Sequence, residues 1–120
     1  MKFGNRVREL RHAKGWSLRA TAEHVGVGYA YLSRVENKRL LSGDYPSDAL
    51  IHRLAETLDG DEEELLFLAG RIPERIRKRI LKRPEVFGML ADLDDKSLDK
   101  ILVAANMEGN VRKTHQRKPR

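Results

Sequence analysis

Cysteine is absent from all 120 residues. That excludes a disulfide framework, a thiolate zinc site and a cysteine nucleophile, and it suits a reducing compartment. The opening residues, Met1-Lys2-Phe3-Gly4-Asn5-Arg6, lack the apolar stretch of a secretory leader. No apolar run approaches membrane-spanning length, so a soluble intracellular protein is expected. Histidine is scarce: none of His12, His24, His52 and His115 lies four residues from another, and no His-Glu-x-x-His occurs. No metal site and no cofactor are therefore expected. Gly26-Val27-Gly28 follows a helical pattern rather than a strand, so it is not read as a phosphate-cradling loop. Nothing in the sequence argues for an enzyme.

What is abundant is charge. Lys plus Arg number 24 against 18 Asp plus Glu, a net charge of +6 that favours a polyanionic partner. The charge is unevenly spread: residues 1–58 hold 10 basic and 6 acidic side chains, residues 59–70 hold 5 acids and no base, and residues 71–120 hold 14 and 7. The acidic run Asp59-Gly60-Asp61-Glu62-Glu63-Glu64 has its glycine too early for a calcium loop. It reads instead as acids in the first turn of a helix, where the helix dipole favours them. Arg112 to Arg120 carries five basic residues and no large apolar one, so residues 108–120 are expected to form a basic disordered tail.

Apolar spacing predicts helices throughout, and no stretch alternates over strand length. Phe3, Val7 and Leu10 mark a first helix over about residues 3–14, followed by Ala13 and a Gly15 cap. Trp16 is expected as a core plug. Ser17 caps a second helix carrying Thr21, Ala22 and Val25, and a third runs over about residues 29–36 with Leu32 and Val35 inward. Asn37 to Tyr45 reads as a polar loop. A fourth helix opens at Pro46 or Ser47, carries Leu50, Ile51, Leu54, Ala55 and Leu58, and closes at Gly60. A fifth runs from Asp61 to Gly70. Further helices open near Pro73, Pro84 and Asp94, with Ile76, Ile80, Leu90, Leu98, Ile101 and Leu102 on their apolar faces.

Residues 17–37 concentrate the functional signal. A short helix, a glycine turn with Val27 inward and a second short helix form a helix-turn-helix, whose second helix enters the major groove. Over about residues 3–70, the order of the turn, the run Tyr31-Leu32-Ser33-Arg34-Val35-Glu36-Asn37 and the downstream apolar helix resembles the Cro/C1-type (XRE) family of phage and bacterial repressors. Thr21 stands where that family usually has leucine. Lys38 stands where it has glycine, so Asn37 itself is expected to take a left-handed conformation. Gly28 replaces the usual Ser/Thr cap.

The resemblance implies an all-α, five-helix, lambda-repressor-like DNA-binding domain in a bacterial or phage-encoded cytoplasmic regulator. It places Tyr29, Ala30, Ser33 and Arg34 over base edges, and Ser17, Leu18, Arg19, Tyr31, Asn37 and Lys38 near phosphates. Leu18 would act through its backbone N–H, since its side chain cannot bond a phosphate. It also implies a pair between Arg11 and Glu36 that orients the third helix. Three segments are expected: a DNA-binding domain over residues 1–70, a helical dimerisation or interaction region over 71–107, and the tail. The expected function is a dimeric repressor on a palindromic double-stranded operator of a phage, mobile-element or defence operon. The basic block Arg71 to Arg83 either extends the DNA footprint or presents a solvated face. The run from Arg83 to Leu98 also looks like regulators partnered with ImmA/IrrE-type zinc metallopeptidases. The competing reading is an antitoxin whose C-terminal helices neutralise a toxin.

Overall fold

The computed structural model describes residues 2–37 and 46–109. Lys38, most of the expected polar loop and residues 110–120 of the expected tail lie outside the described residues. The protein is all-α: α1 (Phe3–Lys14), α2 (Leu18–Val25), α3 (Tyr29–Glu36), α4 (Asp48–Leu58), α5 (Glu62–Leu68), α6 (Glu74–Lys82), α7 (Pro84–Asp92) and α8 (Asp95–Met107). The chain divides into two units between Arg71 and Ile72.

In the first unit, α1 to α5 enclose one core built on Val7, Leu10, Leu32, Val35, Ile51, Leu54 and Leu65. Side-chain caps set the starts of α2, α4 and α5. Ser17 Oγ accepts from the Ala20 N–H, Ser47 Oγ from the Leu50 N–H, and the Asp61 carboxylate from Glu63 and Glu64. Each cap satisfies a backbone donor that the first helical turn leaves without an acceptor. Thr21 is fully buried where leucine is usual, yet leaves no unmet polar group, because its hydroxyl donates to the Ser17 carbonyl at 2.9 Å. Between α4 and α5, His52 is flanked by Glu62 and Glu56. The hydrogen bond to Glu62, followed by the Glu56 charge, raises its pKa.

Several expectations are corrected. Trp16 is half-buried rather than a core plug: it packs at the edge of the core, stacks on His24 with centroids 4.2 Å apart, and lies under the Lys14 ammonium. Val27 is likewise only half-buried, and Ala13 is exposed. Asp59, not Gly60, ends α4 in the left-handed region at φ 55°. Gly60 is needed for space instead, since a Cβ there would stand 2.7 Å from Leu10 Cδ1. Asn37 has φ −95°, so it is not left-handed.

At Gly4, α1 closely approaches the last turn of α3. A Cβ on Gly4 would lie 2.3 Å from the Val35 carbonyl oxygen and 2.8 Å from that of Glu36. The same turn is bound electrostatically. Glu36 is 2% exposed, and its carboxylate accepts from Arg11 Nε and Nη2 at 2.8 and 3.0 Å. Arg8 Nε adds a longer contact at 3.3 Å, while Arg11 Nη1 also donates to the Trp16 carbonyl at 2.8 Å. Arg6, which sequence reasoning did not single out, is fully buried between α1 and α5 and pairs with Glu64 at 2.8 Å and with Glu9. Its Nη2 has no hydrogen-bond partner among the described residues.

In the second unit, α6 packs against α7, and no residue of α6, α7 or α8 is buried. Ile76, Ile80, Val86, Phe87 and Leu90 are half-buried. Leu102 and Met107 of α8 stay 58% and 82% exposed.

Two stability tests follow from the contact between α1 and α3. Gly4→Ala should destabilise by about 1–3 kcal/mol, because backbone carbonyls cannot yield as a flexible side chain does. Gly88→Ala, where an added Cβ meets nothing within 4 Å, should instead be neutral or stabilise by about 0.5–1 kcal/mol. Thermal unfolding of both variants checks this, and equal melting temperatures would contradict the close approach. Glu36→Ala should cost about 3–5 kcal/mol, since it strands the mostly buried Arg11. Arg8→Ala, at a side chain 40% exposed, should cost less than about 1 kcal/mol. Denaturant titration measures the contrast.

Candidate nucleic-acid interface

The turn between α2 and α3 depends on Gly26, whose φ of 86° suits only a residue without a Cβ. Its N–H and that of Val27 both reach the Ala22 carbonyl, at 2.9 and 3.0 Å, which closes α2 and redirects the chain. The chain re-enters a helix at Gly28, whose carbonyl accepts the Leu32 N–H. Leu32, Val35 and Glu36 then point inward. Tyr29, Ala30 and Arg34 are exposed, and Ser33 is half-exposed beside them.

The residues expected near phosphates divide into two kinds. Ser17 is exposed and its oxygen already serves as a cap, so its O–H remains as the donor. Leu18 packs its side chain against the core, and as the first residue of α2 its backbone N–H has no acceptor within the helix. Tyr31 is half-buried against the core. Asn37 is exposed but engaged: its amide donates to the Ser33 carbonyl at 2.9 Å and to Ser33 Oγ at 3.3 Å, and its oxygen accepts from Arg8 Nη2 at 2.8 Å. Arg8 was not a sequence candidate. Its place one turn before Arg11, on the face of α1 that meets α3, is the signal that would have found it.

The described arginines of this unit fall into two groups. Arg6, Arg8, Arg11 and Arg71 each reach a carboxylate, and Arg53 donates to the Val25 carbonyl. Arg19 and Arg34 have no hydrogen-bond or ion-pair partner among the described residues. Each lies instead over a tyrosine ring: Arg19 Cζ is 4.6 Å from the centroid of Tyr29, and Arg34 Cζ is 5.6 Å from that of Tyr31. A guanidinium over a ring face keeps its in-plane N–H donors available. The two uncommitted guanidinium groups therefore sit on the outer side of the helix-turn-helix.

Comparison with known proteins agrees with this geometry. A family model described as a helix-turn-helix domain matches residues 2–68. Two relatives come from Bacillus subtilis (strain 168). An uncharacterized HTH-type transcriptional regulator, RghRB, is 35% identical over 79 residues, which are 63% of this chain and 55% of that protein. The HTH-type transcriptional repressor RghR is 30% identical over 95 residues, 72% of this chain and 68% of that protein. The chain thus spans just over half the length of the first and about two thirds of the second. Among solved structures, a chain of the SinR protein/SinI protein complex superposes with a TM-score of 0.51 at 22% identity, covering 91% of this chain and 99% of that one. That likeness concerns the fold. From the family match and the geometry of α2 and α3, the chain belongs to the helix-turn-helix family of DNA-binding transcriptional regulators.

Proposed function

We propose that this protein is a sequence-specific repressor that binds a palindromic operator as a homodimer. The observation that carries the DNA reading is the pair of uncommitted arginines, Arg19 and Arg34, on the outer side of α2 and α3. In this reading α3 lies in the major groove, with Tyr29, Ala30, Ser33 and Arg34 towards base edges. Arg34 supplies the forked donor that a guanine accepts, and Ala30 offers only a methyl contact to thymine. Ser17, Leu18, Tyr31 and Lys38 approach phosphates, which position the protein without specifying sequence. Asn37 joins them only by giving up its bonds to Ser33.

Binding to duplex DNA should weaken as salt rises, with log affinity falling by about 0.9 per decade of salt for each neutralised phosphate. Arg34→Ala should lose about 1–3 kcal/mol of discrimination at one base pair and leave the melting temperature nearly unchanged. Titration of a selected site and of random duplex at several salt concentrations checks both. Affinity insensitive to salt, or equal for the two DNAs, would overturn the reading.

The homodimer rests on the second unit. An isolated helix as short as α8 is marginal in water, and its leucine, isoleucine, valine and methionine side chains are left exposed. A second copy covering this face would also link two half-site contacts, which raises operator affinity by orders of magnitude. Leu102→Glu should therefore shift the full chain from dimer to monomer in sedimentation, weaken operator binding sharply, and leave the melting of residues 2–71 intact. A wild-type monomer would instead assign the α8 face to another protein, as the antitoxin reading requires.

A further inference from the structure

We infer that Arg19, which the family resemblance puts near a phosphate, instead reads a guanine, and that Tyr29, rather than reading a base itself, holds Arg19 in place to do so. The inference rests on the DNA-binding reading above and assigns α2 a part in sequence recognition.

The outward face of α3 is poor in hydrogen-bonding groups. Ala30 has none. Ser33 Oγ already accepts from Asn37. Tyr29 carries a single hydroxyl. Only Arg34 offers a two-donor fork from α3 itself. Arg19 brings a second fork from the start of α2 to the first residue of α3, with its Cζ 4.6 Å from the Tyr29 ring centroid.

The local alternatives make this placement informative. Glu23 stands four residues after Arg19 on the exposed face of α2, within reach of an ion pair although in the less favourable order of base before acid. No such pair forms, and the guanidinium lies over Tyr29 instead. The ring restrains the guanidinium without engaging its N–H donors in a hydrogen bond or ion pair. Guanine O6 and N7 lie in the base plane and accept a bidentate fork, so a restrained fork suits them. A phosphate accepts from many directions and needs no platform.

Selection of preferred sites from a random duplex pool tests this with full-length proteins: wild type, Arg19→Ala, Arg19→Lys, Tyr29→Phe and Tyr29→Leu. Arg19 and Tyr29 are exposed, and unchanged circular dichroism and melting will show that each variant folds. Wild type should select a site with one guanine per half-site that Arg19→Ala ceases to prefer, all other positions being retained. Affinity for the wild-type site should fall about ten- to a hundredfold. Arg19→Lys, whose ammonium is no planar fork for Tyr29 to hold, should weaken the preference for the same guanine. Tyr29→Phe keeps the ring and should keep the preference, whereas Tyr29→Leu should lose it at the position affected by Arg19→Ala.

Equal loss of affinity for selected and random DNA in Arg19→Ala, with every base preference intact, would make Arg19 a phosphate contact and overturn the inference. Loss of the preference in Tyr29→Phe would show that the hydroxyl reads the base, and would overturn it equally. A wild type that selects no sequence would sink the sequence-specific reading and this inference with it. Selection by wild type with no effect of Arg19→Ala would sink the inference alone.

Discussion

A carboxylate taken out of water costs several kcal/mol unless cations and N–H donors surround it. Glu36 meets that condition through two donors of Arg11 and one of Arg8, all from α1. The ion pair also fixes the last turn of α3 against α1. Gly4 adds a steric condition at the same turn, where α1 meets the carbonyls of Val35 and Glu36 without any side chain between them. Arg11 also ties that cluster to the Trp16 carbonyl, just before α2. The placement of α2 and α3 relative to α1 thus converges on one buried acid. The start of α3 is held by the Gly26 turn, by the bond from Leu32 to Gly28 and by the burial of Leu32 in the core.

The helices of the first unit were largely legible, because caps and apolar spacing are local signals. Ser17 and Asp61 announce their helix starts, and the stripe from Leu50 to Leu58 needs only its periodicity. What was not legible depended on contacts distant in sequence. Arg6 falls three residues after Phe3, on the inward face of α1, and only Glu64 from α5 makes its burial tolerable. Gly4 looked like an ordinary helix residue until α3 was placed beside it. Asp59, one residue before the expected close at Gly60, takes the left-handed position, while Gly60 lies against Leu10. Trp16 moved to the edge of the core, where His24 and Lys14 cover its faces. In the candidate interface, the sequence suggested outward positions on α3, but the contact between Arg19 and Tyr29 joins two helices and has no local signature.

The sorting of arginines bears on how such a surface can act. A guanidinium already locked to a carboxylate must break that bond before it can meet DNA. Arg19 and Arg34 face no such cost. An exposed cation–π contact is worth only about 0.5–1 kcal/mol, enough to limit wandering of a long side chain without competing against a nucleic-acid acceptor. Arg8 is intermediate, since its contact with Asn37 lies in the open while its Nε faces the buried Glu36. The second unit differs in kind. It contributes no buried side chain from α6, α7 or α8, so its apolar faces carry little of the folding energy described for α1 to α5.

The division of labour around α3 has an evolutionary consequence. Leu32, Val35 and Glu36 serve cohesion, while Tyr29, Ala30 and Arg34 touch neither the core nor the Glu36 cluster. Replacements at exposed positions typically change stability by no more than about 0.5 kcal/mol. Descendants of this chain can therefore retarget the outward face while inheriting an unaltered scaffold. The inward trio admits no comparable drift, because a change at Glu36 must be matched by changes at Arg11 and Arg8. Divergence in ligand choice should thus outrun divergence in architecture, with the boundary between the two running along a single eight-residue helix.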